Sequence, residues 1–110
     1  MTATYYNNFV DTTNFSDTSF RFTLTAGFEQ SITVPGSSTD NLQALFGIAE
    51  TDHIFVGYNF GASIPADNTH ESVGQTEMNP EKRFVKGGDV LYFLSPDTKA
   101  WLTVSFRKLP

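Results

Sequence analysis

The chain carries two histidines, His53 and His70, and histidine is the side chain best suited to bind a metal or transfer protons near neutral pH. A zinc site needs three or four ligands at spacings that let them converge. The sequence contains no cysteine, and the two histidines are well separated along it. We therefore predict that both are solvated loop residues and that the chain has no metal site.

The segment from Asp67 to Glu71 (Asp-Asn-Thr-His-Glu) offers oxygen ligands of the kind that calcium prefers. It lacks the Asp-x-Asp-x-Asp-Gly spacing and the final bidentate glutamate of a calcium-binding loop. We predict a polar loop over residues 65–77 that holds no calcium ion.

Hydrolytic chemistry would require a nucleophile beside a base, or two carboxylates across a pocket. No serine lies in a nucleophile-elbow sequence, and the carboxylates are scattered singly. Gly87-Gly88 before Asp89 is typical of a hairpin turn rather than of a phosphate-binding loop. The sequence therefore predicts no catalytic residue, no cofactor and no enzymatic activity.

Trp101 is the one residue whose position suggests binding. The run from Lys99 to Arg107 alternates strictly, which directs Ala100 and Leu102 inward and Trp101 outward beside Thr103. An exposed indole can anchor a protein interface or stack on a sugar ring. The third interpretation is an edge-of-core tryptophan that the N-terminal segment covers.

Residues 1–17 show no periodic pattern, yet they are richer in aromatic residues than a disordered tail normally is. These aromatic residues include Tyr5, Tyr6, Phe9 and Phe15. The segment is either an irregular edge strand or an arm that lays its rings on a neighbouring subunit. We predict that these four residues and Trp101 belong to a protein interface.

Strand-length runs separated by turn residues occupy residues 18–110. Phe20, Phe22 and Leu24 alternate with polar residues, and a hairpin across Ala26-Gly27 would pair them with the strand that ends at Val34. Residues 39–50 are ambiguous between an irregular strand and a single helical turn. Later strands are predicted over His53 to Phe60, at Phe84-Val85 and in the two runs that follow residue 89.

This pattern predicts about seven or eight short strands and an all-β fold. At 110 residues the chain is one domain, and eleven phenylalanines supply an aromatic core. We expect a single-domain antiparallel β-sandwich, immunoglobulin-like or jelly-roll, over residues 18–110.

The net charge is −5 at pH 7, and no run of lysine or arginine appears along the sequence. Binding to a phosphate backbone requires clustered cations, so we expect no nucleic-acid partner. The N-terminus lacks the features of a signal peptide, and no apolar run approaches the roughly 20 residues of a membrane-spanning helix. We expect a soluble protein that is made in the cytoplasm and has no membrane partner.

Residues 53–110 also resemble small virion structural proteins of tailed bacteriophages. The resemblance lies in the strand from Ile54 to Phe60, in Met78-Asn79-Pro80-Glu81, in the run from Phe84 to Asp97 and in the alternating strand that ends at Leu109-Pro110. Proteins of that group are similar in length, all-β and poor in cysteine.

The resemblance implies a capsid decoration or cement protein located in the virion. Its partners would be the major capsid protein or other virion subunits, and it would itself form homo-oligomers, with a trimer favoured. The alternatives are a lectin-like module that binds carbohydrate through Trp101 and the 65–77 loop, and a structural subunit of the tail or baseplate.

Overall fold

The computed structural model describes residues 18–64 and 76–109, and within these ranges it contains strands and no helix. The predicted all-β fold is confirmed. The strands are β1 (Thr18–Thr25), β2 (Gln30–Thr33), β3 (Asn41–Ile48), β4 (Phe55–Tyr58), β5 (Thr76–Met78), β6 (Lys82–Lys86), β7 (Val90–Leu94) and β8 (Lys99–Lys108).

The eight strands form two antiparallel sheets of four, in the orders β1-β8-β3-β6 and β2-β7-β4-β5. The pairs β1–β8, β2–β7, β3–β6 and β4–β5 are nested, so the first half of the chain pairs with the second half in reverse order. Pairing of β3 with β8 and of β4 with β7 joins these pairs into sheets. Successive strands therefore alternate between the sheets, except at β4 and β5.

Two predicted hairpins are wrong in this topology. The Ala26-Gly27 turn leads from β1 in one sheet to β2 in the other, and the Gly87-Gly88 turn likewise connects β6 to β7 across the sandwich. The reason is length and apolar content: β1 pairs with β8 at eight positions, whereas β2 has only four residues. A longer partner buries more apolar surface and completes more backbone hydrogen bonds.

The ambiguous segment at residues 39–50 is a regular strand, since Asn41–Ile48 pairs with β6 on one side and β8 on the other. Conversely, the strand predicted over His53 to Phe60 is shorter, at Phe55–Tyr58. It ends where Asn59 adopts a left-handed backbone conformation with φ of 58°.

The core lies between the inward faces of the two sheets. The predicted alternation of β8 is confirmed, because Ala100, Leu102, Val104 and Phe106 are all fully buried. Across the sandwich the Phe22 ring packs against Phe93, with ring centroids 5.3 Å apart. This two-layer packing sets the backbone positions from which the outward side chains of both sheets project.

Asp89, in the β6–β7 turn, connects that turn to the end of β4. Its Oδ2 accepts hydrogen bonds from the Tyr58 hydroxyl at 2.6 Å and from the Lys86 backbone N–H at 2.8 Å. Partial burial opposes ionisation of Asp89, but these hydrogen bonds outweigh it and hold its pKa below the ordinary value of 3.8. The same bond to Asp89, followed by burial, raises the pKa of Tyr58.

Asp89 is consequently expected to stabilise the fold in a pH-dependent way. Because its pKa is lower in the folded state, its contribution is present above pH 3.8 and is lost as the pH falls through the folded-state pKa. Asp89→Asn should reduce stability at pH 7 and give a shallower decline in acid, as measured by urea unfolding across that window. Glu50→Gln, in an exposed loop, is the control. Parallel pH profiles for Asp89→Asn and the wild type would contradict this assignment.

Candidate protein-binding surface

The outward side of the β1-β8-β3-β6 sheet, called here the outer face, is the broadest regular surface of the described structure. Strand alternation and register place its residues in rows, such as Arg21–Thr103–Gly47 and Ser19–Ser105–Leu45–Lys82. The remaining members are Thr23, Thr25, Asn41, Gln43, Phe84, Lys86, Lys99, Trp101 and Arg107.

All seven lysines and arginines of the chain lie on the four strands of this sheet, and none of the twelve aspartates and glutamates does. Five of these cations are on the outer face: Arg21, Lys82, Lys86, Lys99 and Arg107. The sequence shows no run of lysine or arginine, but in the folded chain these residues are clustered. Strand register gathers residues from three distant segments.

Trp101 lies on the outer face, as the alternation predicted, and is 48% exposed. The Arg21 guanidinium carbon sits 4.4 Å from the centroid of its ring, and Lys99 Nζ lies 5.5 Å from the same point. Both distances fall within the range of a cation–π interaction. The indole is therefore presented together with two positive charges.

The main chain at Trp101 is also held on the edge that faces the end of β3. β3 ends at Ile48, which pairs with Leu102, so the backbone N–H of Trp101 has no strand neighbour there. The Asp52 carboxylate accepts that N–H at 3.2 Å instead. An aromatic anchor whose backbone is held in this way loses little further freedom on binding.

Gly47 leaves room for a neighbouring side chain in the middle of the outer face. A side chain at Gly47 would collide with the Thr103 hydroxyl of the neighbouring strand, which itself lies over this position. Phe84 stands at the opposite corner from Trp101 and is 75% exposed. The surface thus combines two exposed aromatic side chains, five cations and small polar groups, a composition suited to an anionic partner surface.

The other predicted interface residues, Tyr5, Tyr6, Phe9 and Phe15, lie outside the described residues, as do His70 and the polar segment at residues 67–71, where no calcium ion was predicted. The interpretation in which residues 1–17 cover Trp101 also lies outside the described residues.

The structure brings Ser95, His53 and Asp97 together, a cluster that the spacing along the chain does not suggest. The Ser95 hydroxyl is fully buried, donates to the His53 carbonyl oxygen at 2.6 Å and accepts from the Asp97 N–H at 3.1 Å. His53 Nδ1 lies 3.4 Å from Asp97 Oδ2. A catalytic triad instead needs an accessible serine bonded to the imidazole. The cluster holds the β7–β8 turn against the β3–β4 loop.

A cleft of about 480 Å³ opens between the sheets at the β6 and β5 edges. Apolar side chains including Phe46, Val56 and Leu91 form its walls. The charged groups in the lining are Glu77 and Arg83, which pair at 2.6 Å. The ion pair neutralises both charges, so the cleft offers apolar contact without a charged anchor.

No group of three or more potential metal ligands occurs among the residues that the structure describes. Within the same ranges it contains no helix that is long and apolar enough to cross a membrane. Comparison with protein-family models, with curated proteins and with solved structures found no match to this chain.

Proposed function

We propose that this chain is a non-enzymatic structural protein of a virion, and specifically a capsid decoration or cement protein of the tailed-phage type. The observation that carries the proposal is the outer face, where Arg21 and Trp101 form a preassembled pair on a sheet whose strands carry no acidic residue. Arginine and tryptophan are the residues that most often dominate the energy of protein interfaces. The resemblance of residues 53–110 to such virion proteins supports the same role.

We propose jelly-roll connectivity for the sandwich rather than the immunoglobulin-like order. In the immunoglobulin order the first two strands are neighbours in one sheet. Here β1 and β2 lie in different sheets, and the nested pairs β1–β8, β2–β7, β3–β6 and β4–β5 describe one long hairpin rolled into two layers. Jelly rolls recur in viral capsid and lectin domains, which supports the proposal by analogy of fold.

The size of the outer face suits a protein that binds in many copies. Four strands about 4.8 Å apart and eight residues of about 3.3 Å each give an area on the order of 400–500 Å². A standard interface buries about 800 Å² on each partner. One such contact is weak by itself, whereas several contacts on a repeating shell reinforce one another through avidity.

Carbohydrate binding is the second candidate, because an exposed Trp101 lies beside the hydroxyls of Thr23 and Thr103. The Arg21 guanidinium already covers a face of the indole ring at 4.4 Å. A sugar that stacks on this face would have to displace the guanidinium and its cation–π interaction. This competition favours the protein partner.

Trp101→Ala is expected to weaken binding to shells assembled from the major capsid protein of the same source. An aromatic anchor of an interface is worth about 2 kcal/mol or more, which corresponds to a loss of affinity of roughly 30-fold. Cosedimentation of the full chain with the shells measures this. Ser31→Ala, an exposed position on β2 in the other sheet, is the control and should bind as the wild type does.

Unchanged shell binding by Trp101→Ala would contradict the role of the outer face. No shell binding by the wild type, together with binding to a glycan that Trp101→Ala abolishes, would replace the cement function with the carbohydrate one.

A further inference from the structure

We propose that the outer face binds the acidic strand end of a second copy of this chain, which gives a head-to-tail contact between protomers. The inference rests on the proposed function, because it takes the outer face to be a protein-binding surface and makes a neighbouring copy on the shell its partner. Loss of Trp101 would then weaken shell binding by removing the avidity that contact between copies supplies. It follows from the distribution of charge over the whole fold.

The acidic strand end consists of the four loops that connect β1 to β2, β3 to β4, β5 to β6 and β7 to β8. Antiparallel pairing places these loops at the same end of the sandwich, since Thr25 pairs with Lys99, and Phe55 pairs with both Leu94 and Met78. The loops contain no lysine or arginine. Their carboxylates are Glu29, Glu50, Asp52, Glu81 and Asp97.

Five cations on the outer face thus correspond to five carboxylates at the acidic strand end. Ion pairs within one copy use mostly other groups, namely Glu77 with Arg83 and Asp40 with Lys108. Among the described residues, Arg21, Lys82 and Lys99 form no ion pair, whereas the charge of Lys86 acts on Asp89. The ion pair of the acidic strand end is that of His53 with Asp97, while Glu29, Asp52 and Asp97 accept backbone hydrogen bonds and Glu50 and Glu81 are exposed. Both patches therefore retain charge that a second copy can match.

Apolar anchors accompany the charge on both sides of the proposed contact. Phe28, in the β1–β2 loop, is 71% exposed at the acidic strand end. Trp101 and Phe84 are the exposed aromatic residues of the outer face. Exposed aromatic side chains amid complementary charge supply the affinity that exposed ion pairs alone do not.

The charges of the two patches determine which symmetry a contact between copies can have. Packing one outer face on another would oppose five cations with five cations, which disfavours a two-fold contact through this surface. A face-to-end contact joins different surfaces of the two copies, so it is heterologous and closes into a ring when the rotation allows. A closed ring of three copies would be the trimer that the resemblance implies.

A single-stranded nucleic acid is the other anionic partner that such a surface suggests. Base binding on a sheet relies on stacking over exposed aromatic rings. Arg21 occupies a face of the Trp101 ring, and the acidic loops begin directly beyond Lys99, where they would repel a phosphate backbone. These features favour the acidic surface of a protein as the partner, and binding of an oligonucleotide by the outer face would contradict it.

The test uses two charge-reversal variants of the full chain. The face variant is Arg21→Glu with Lys99→Glu, and the end variant is Glu50→Lys with Glu81→Lys. Glu50 and Glu81 are exposed, whereas Asp52 and Asp97 accept backbone hydrogen bonds that the fold needs. Circular dichroism and thermal unfolding should match the wild type, which shows that both variants fold.

Light scattering should find the wild type associated at about 0.05 M salt and dissociating towards the monomer mass at about 0.5 M, because screening weakens the contact. Each variant alone should be monomeric. Mixed in equal amounts, the two should associate with each other, because the intact end of the face variant matches the intact face of the end variant and the two reversed patches also carry opposite charges. A variant carrying all four reversals should associate with itself again.

A monomeric wild type at low salt, self-association that either variant retains, or failure of the mixed variants to associate would each overturn the proposal. Assaying the same variants on capsid shells separates this outcome from failure of the proposed function. If the wild type is monomeric but Trp101→Ala still reduces shell binding, the function stands and the self-contact does not. Binding of single-stranded oligo-thymidine that the face variant loses would assign the outer face to nucleic acid instead.

Discussion

Leu102→Ala is expected to lower the free energy of unfolding by about 2–5 kcal/mol. Leu102 is fully buried at the centre of β8 and pairs with Phe22 on β1 and Ile48 on β3. Its side chain points between the sheets, with a hydrogen-bonded strand on each side of it, so its neighbours cannot easily collapse into the space that alanine leaves. The lost transfer free energy is then increased by the free energy of the cavity.

Urea unfolding measures the loss, and an unchanged m-value would show that the unfolded state is not affected. Leu45→Ala is the matched control, because it removes the same atoms from a half-buried side chain on the outer face. Its effect should be clearly smaller. Phe22→Ala, which removes the ring that packs on Phe93, should also lower stability by about 2–5 kcal/mol. Equal losses for Leu102→Ala and Leu45→Ala would contradict the assignment of faces on β3 and β8.

The faces of the strands were predictable from the sequence because alternation is a local property. Lys99 to Arg107 shows this most clearly, since every second residue from Ala100 to Phe106 is buried. Strand partners were not predictable, because alternation says which side chains point inward but not which strand lies alongside. The short turn at Ala26-Gly27 is compatible with a hairpin and with a crossing between sheets, and only the pairing of β1 with β8 decides between them.

The candidate surface was predictable only at Trp101. Its cations come from β1, β6 and β8, which are far apart along the chain, so no window of sequence reveals that they share a sheet. The absence of acidic residues from four strands is visible in the sequence, but it has meaning only once those strands are known to be neighbours. Ser95 and His53 meet for the same reason, because β7 and β4 are adjacent in the second sheet.

Gly87→Ala is the second substitution with a large expected effect, and it tests how the β6–β7 turn is seated. Gly87 is buried, and an added methyl carbon would lie 2.6 Å from the carbonyl carbon of Gly36 and 2.7 Å from its oxygen. The carbonyl oxygen of Ser37 is also too close. These are backbone atoms of the β2–β3 loop, which cannot rotate away as the end of a side chain can.

The loop and the turn must therefore separate, which weakens two backbone hydrogen bonds. The Gly87 N–H donates to the Asp40 carbonyl at 3.1 Å, and the Gly88 N–H donates to the Val34 carbonyl at 2.9 Å. Overpacking of this kind costs about 1–3 kcal/mol and occasionally more. Loss of the two backbone hydrogen bonds adds to that value, which again can be measured by urea unfolding.

Gly61→Ala is the matched control for this substitution. Among the described residues, its added methyl carbon would meet the Glu29 carboxylate, at 3.4 Å, which is ordinary van der Waals contact with the end of a side chain. A change within about 0.5 kcal/mol is expected there, as for most exposed positions. Gly87 is needed for close approach of two backbone segments, not for an unusual φ; in this turn the left-handed conformation belongs to Gly88, with φ of 89°. If Gly87→Ala were as stable as Gly61→Ala, the β2–β3 loop could not be packed against the turn that carries Asp89.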